Sequence, residues 1–155
     1  LKYCLDANAI INIQLVGMLS DLEQMAAQNL ICIPEGVYRE LTDTTTKIGE
    51  KIKKWVPYGC IHDLTPDELL LLKEIDGKYG QPFKIGNGNL YGGFWATPSG
   101  EKGVDAQVVV VAKLNNLIIV TNDGSMHGAS YFEDVECIRF EELCRRFRTE
   151  THKLL

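Results

Sequence analysis

Residues 104–123 read VDAQVVVVAKLNNLIIVTND, and two chain paths fit them. Four consecutive valines favour a strand, and Asn115-Asn116 could turn the chain back, pairing QVVVVAKL with LIIVT as a hairpin. The other path is a helix followed by a buried strand. Val104, Val108, Val111 and Ala112 share one helical face, and Ala112, Lys113 and Leu114 are good helix formers. The choice between them decides the fold class.

The rest of the chain favours the helix. Residues 1–5 read as a strand, and 15–28 as a helix with Leu15, Met18, Leu19, Leu22 and Met25 at helical spacing. NLICI (29–33) is a short apolar strand. Pro34 fits the first position of a helix carrying Glu35 in its first turn, Val37 and Leu41 on one side, and Glu40 near its middle. Thr44 to Thr46 read as a break and cap before a helix near 46–56 that buries Ile48, Ile52 and Trp55. GCIHDL (59–64) is a short strand. In TPDE (65–68), Thr65 caps, Pro66 follows and Glu68 completes a capping box, so Asp67 and Glu68 are helix-start residues and not catalysts. DVECIRF (134–140) is a strand, followed by a helix with Leu143, Cys144 and Phe147 inward. Strands that alternate with helices predict a mostly parallel sheet covered on both faces.

The chain has 155 residues, of which 45% are hydrophobic, as expected for one domain with one core. We expect that domain to span 1–155 with an insertion at about 80–103, GQPFKIGNGNLYGGFWATPSGEKG, read as a long Gly- and aromatic-rich loop. No apolar run approaches the ~20 residues of a membrane span. No signal-peptide pattern is visible, although the sequence starts at Leu1. Cys4, Cys32, Cys60, Cys137 and Cys144 include no C-x-x-C pair and have no zinc spacing; they read as buried free thiols in a reducing cytoplasm. The net charge of −5 is the wrong sign for a simple nucleic-acid-binding surface, but it leaves room for an acidic cluster that a divalent cation neutralises.

Two acids sit directly after apolar strands: Asp6 after LKYCL and Asp123 at the end of LIIVTND. In open parallel sheets ligands gather at the carboxyl ends of strands, and right-handed crossovers put those ends on one edge. Glu40, about two turns into the helix after the second strand, and Asp105, at the start of the helix before LIIV, are placed to join them. Four carboxylates without Cys or His suit a hard cation, Mg²⁺ or Mn²⁺. Without a cation they raise one another's pKa; with one they form a Lewis-acid site for a phosphate and a water.

YCLDANAII (3–11), IPEGVYREL (33–41), GVDAQVVVVAK (103–113) and LIIVTND (117–123) resemble, in order, the four motif blocks of PIN-domain nucleases. The resemblance covers about residues 1–140. It implies a three-layer α/β/α fold with a five-stranded parallel sheet, and Asp6, Glu40, Asp105 and Asp123 as catalytic metal ligands. Asn8, Thr121 and Asn122 would support them by hydrogen bonding. The implied activity is Mg²⁺- or Mn²⁺-dependent hydrolysis of RNA, leaving a 5′-phosphate and a 3′-hydroxyl. Small members are commonly VapC-like toxins held by an antitoxin, and members often form homodimers. Many carry a further acid just after the fourth Asp. Ser125 stands near that place here, which leaves one or two metals open, and the 80–103 segment is longer than in compact members.

For an RNA substrate, Lys47, Lys51 and Lys54 form one basic stripe, and Arg145, Arg146 and Arg148 a second, more distant cluster. Either is also an ordinary solvated helix face. Phe83, Tyr91, Phe94 and Trp95 could stack bases, pack the loop or bind a partner. Ser125 and His127, just past Asp123, are candidate substrate contacts; His62 reads as a structural or surface residue. GNGNLYGG lacks the preceding strand and glycine spacing of a dinucleotide fingerprint. A phosphotransfer receiver is disfavoured because no adjacent acidic pair follows the first strand. The rival to a nuclease is an inactive PIN-like scaffold that binds RNA or protein.

Overall fold

A computed structural model describes residues 1–79, 83–84, 90–91 and 103–152. The chain runs β1 (Tyr3–Leu5), α1 (Ala7–Leu15), α2 (Leu19–Ala27), β2 (Ile31–Pro34), α3 (Glu35–Thr42), α4 (Lys47–Lys53), a 3₁₀ turn (Val56–Tyr58), β3 (Ile61–His62) and α5 (Pro66–Tyr79). It continues with β4 (Phe83–Lys84), β5 (Leu90–Tyr91), α6 (Gly103–Asn115), β6 (Ile118–Val120), α7 (Gly124–Phe132), β7 (Cys137–Ile138) and α8 (Phe140–His152).

Residues 103–115 are helix, so the hairpin path is excluded. Valine gives up a few tenths of a kcal/mol in helix propensity relative to alanine. Burying a side chain of its size returns about 1.5–3 kcal/mol. Val108, Val109, Val110 and Val111 are all fully buried, because α6 lies on β1 and β2 and is flanked by α3, α5 and α7. Burial therefore outweighs local preference. The helix stops where Asn116 takes a left-handed conformation (φ 55°) and Leu117 N–H returns to the Ala112 carbonyl at 2.9 Å.

β3-β2-β1-β6-β7 form one sheet, parallel in every pairing. On its other side α1, α2 and α8 pack on one another, which completes three layers. The chain winds one way from β1 to β3 and the other way from β6 to β7. The reversal lies between β1 and β6, which pair Leu5 with Val120 at their carboxyl ends.

Two expectations need correction. The helix read over 15–28 is α2 alone, from 19 to 27; a separate helix, α1, precedes it. Gly17, at φ 77°, breaks the two apart and leaves Leu15 exposed. The segment read as one long loop contains an antiparallel pair, β4 with β5, registering Phe83 with Tyr91. Phe94 and Trp95 lie outside the described residues.

Polar anchors hold the layers together. Thr65 and Glu68 form the expected capping box, with Thr65 N–H to Glu68 Oε1 at 2.8 Å and Glu68 N–H to Thr65 Oγ1 at 3.2 Å. Glu68 is also buried against His62 (2.7 Å) and Asn115 (2.9 Å), so His62 is structural. Glu133, at the end of α7, takes Lys78 Nζ at 2.8 Å, Lys113 Nζ at 2.7 Å and the Tyr79 hydroxyl. Burial opposes its charge, but these three donors outweigh burial and hold its carboxyl at about 2. Cys4, Cys32 and Cys60 are buried, Cys137 and Cys144 half-buried, and all five are free. Burial pushes the Cys60 and Cys137 thiols up to about 11. Among the described residues no helix is long and apolar enough to cross a membrane.

Candidate metal centre

Asp6 follows β1 and caps α1: its Oδ1 accepts the Ala9 N–H at 2.9 Å, and its Oδ2 accepts the Thr121 hydroxyl. Asp123 follows β6 and caps α7, accepting the Ser125 N–H at 2.8 Å. Thr121 is fully buried and joins the two acids, because its Oγ1 also accepts the Asp123 N–H at 3.1 Å. The other two acids arrive on helices. Glu40 lies on α3, solvent-exposed, and Asp105 lies half-buried in the first turn of α6.

All four acids line one cleft of about 330 Å³, together with Ala7, Asn8, Ile11, Leu41 and Val104. The cleft opens at the strand ends where the sheet reverses direction. Asp6 is 6% exposed. Burial pushes its carboxyl up; hydrogen bonds from Thr121, Ala9 and Asn8 oppose that, and the Asp123 charge adds to it. A buried carboxylate in this position gains from a nearby cation. The donor set is oxygen-only, which suits Mg²⁺ or Mn²⁺ over softer metals. Among the described residues no three His, Cys, Asp or Glu side chains stand close enough to hold an ion as they are placed. Ligation therefore requires the carboxylates to draw together. An exposed side chain such as Glu40 can do this by changing rotamer.

The supporting residues divide. Thr121 makes the expected bond to Asp6. Asn8 supports Asp6 through its backbone, while its side-chain Oδ1 accepts from Asn12. Asn122 points elsewhere: its Oδ1 accepts the Phe140 N–H at 2.9 Å and its Nδ2 donates to Glu141 at 3.1 Å, tying β6 to the start of α8. Ser125 meets Asp123 through its backbone. His127 donates from Nε2 to the Thr121 carbonyl at 2.8 Å, which anchors its ring to the strand end. Lys47 and Lys51 are exposed on α4 and Lys54 just past it, while Trp95 lies outside the described residues. In the second basic cluster, Arg145 and Arg146 both pair with Glu142, at 2.6 and 3.0 Å. Gln107, which no sequence signal singled out, lies two residues past Asp105 and accepts the Gly36 N–H at 3.0 Å.

A three-layer fold with an acidic cleft at the reversal of its parallel sheet is the PIN-like architecture that the four sequence blocks resemble. No family model and no curated protein matches the chain in sequence. Solved structures match it in shape. PAE2754 from Pyrobaculum aerophilum is similar with a TM-score of 0.54 at 13% identity, over 96% of this chain and 98% of that one. A chain of FitAB bound to an IR36 DNA fragment gives 0.55 at 14% identity, over 89% and 94%. A chain of VapBC-1 from nontypeable Haemophilus influenzae gives 0.52 at 17%, over 91% and 99%. At these identities the likeness establishes a common fold.

Proposed function

We propose that the chain is a metal-dependent endoribonuclease whose ion is held by Asp6, Glu40, Asp105 and Asp123. One observation carries this reading: four carboxylates, from two strand ends and two helices up to 117 residues apart, line a single cleft. Asp6 and Asp123 each gain as a helix cap, but four carboxylates around one cleft repel one another unless a cation joins them. When bound, Mg²⁺ or Mn²⁺ supplies Lewis acidity to a phosphate and acidifies a water. The protein's share is to fix the carboxylates. Asp6 is held at both oxygens and Asp123 at one. The fold likeness to chains of FitAB and VapBC-1 supports a toxin role under the control of an antitoxin protein.

The test is cleavage of single-stranded RNA by the purified chain with and without Mn²⁺, in wild type and Asp6→Asn. Mn²⁺-dependent products bearing 5′-phosphates, lost in the variant, are expected. Absence of both cleavage and Mn²⁺ binding would refute the nuclease and leave a binding scaffold.

A further inference from the structure

Two of the four acids follow strands and two lie on helices, and a hydrogen bond between distant parts of the chain lies beside each set. Thr121 Oγ1 bridges Asp6 and the backbone of Asp123. Glu40 and Asp105 sit on α3 and α6, and the Gln107 side chain crosses between the starts of these helices. Pro34 occupies the N-cap position of α3 and offers no side-chain acceptor, so the first N–H groups of that helix need a partner from outside. Gln107 Oε1 takes the Gly36 N–H at 3.0 Å, across 71 residues of sequence. The approach is close because residue 36 is glycine: a Cβ there would lie 2.6 Å from Gln107 Oε1. Gly36 is one helical turn before Glu40, and Gln107 is two residues after Asp105. The clip therefore sits beside the roots of both helix-borne acids.

We infer that Gln107 is a positioning residue for the metal site, setting the separation of Glu40 and Asp105 through its bond to Gly36. The inference rests on the metal-site reading above. Its role is distinct from that of the ligands, because Gln107 is neutral and bonds to backbone.

The experiment measures Mn²⁺ affinity by calorimetry and metal-free melting temperature for wild type, Gln107→Met, Gln107→Glu and Gly36→Ala. Gln107→Met keeps the shape and loses the acceptor; it should weaken Mn²⁺ binding about 10-fold, the low end for loss of a supporting partner. Gln107→Glu keeps the acceptor and should bind Mn²⁺ at least as well as wild type. Gly36→Ala should weaken binding as Gln107→Met does, and the double variant should be no weaker than either single change. If Gln107→Met melts earlier yet binds Mn²⁺ as wild type does, the residue is only a helix cap and the inference is overturned. If wild type binds no Mn²⁺, the metal-site reading fails first and the inference falls with it.

Discussion

Replacing Glu133 by Gln tests whether a buried carboxylate bonded to Lys78, Tyr79 and Lys113 stabilises the fold as an anion. Its pKa is displaced from 4.5 to about 2 by Lys113, Lys78 and Tyr79, against the effect of burial. Each pH unit of displacement corresponds to about 1.4 kcal/mol, so the full displacement is worth about 3 kcal/mol. The Lys78 and Lys113 side chains are 56% and 39% exposed, and solvent screening trims the value to about 2 kcal/mol. The sign follows from a depressed folded pKa. The contribution is complete above the unfolded value and is lost as pH falls through the folded one. Urea unfolding of wild type and Glu133→Gln should therefore show a gap of about 2 kcal/mol near neutral pH that closes toward about pH 2. A gap of the same size at both ends of that range would mean that neutral packing, not charge, holds α5 and α6 to α7. No gap at neutral pH would refute the clamp altogether.

Asp6→Asn keeps the α1 cap and removes a charge disfavoured by burial and by Asp123; the metal-free protein should melt at the same or a higher temperature, by differential scanning calorimetry, while Mn²⁺ no longer raises it. In wild type, Mn²⁺ at about 100 times its Kd should add about 2.7 kcal/mol of stability; an unmoved melting curve counts against the site. Thr121→Val leaves the Asp6 carboxylate and the Asp123 N–H without their shared partner and should cost about 1–3 kcal/mol in urea unfolding. Gly17→Ala meets no atom within 4 Å but forces a side chain onto φ 77°, so it should cost about 1 kcal/mol from backbone strain alone.

The alternation of strands and helices was legible because β1 and β2 are short apolar runs flanked by turn chemistry, and Thr65-Pro66-Asp67-Glu68 spells out a helix start. α6 stayed ambiguous because its valines prefer a strand locally, and only packing from several sides settles them. α1 was missed because Ile10, Ile11 and Ile13 are β-branched and no acid occupies its first turn, while Leu15 fell in phase with the apolar face of α2. Gly17 was the available signal. That the four acids line one cleft could be read because a strand end fixes where its next residue goes, and helix order places Glu40 and Asp105 near the same edge. Gln107 could not be read: its partner is a backbone N–H 71 residues away, and that need is visible only once Pro34 is seen at the N-cap of α3. Asn122 looked like a supporter of the acids from its place in VTND, but the side chain at that point of the strand turns toward α8.

Three of the four acids stand at helix starts: Asp6 before α1, Asp105 in the first turn of α6, and Asp123 before α7. Each of those helices carries a dipole whose positive end, equivalent to about half an elementary charge, falls at its first turn. Three such ends aimed at one cleft offset much of the repulsion among its carboxylates before any ion arrives. Those helix starts lower the cost of gathering the acids at one cleft, and the proposed cation would meet a site whose backbone already favours negative charge.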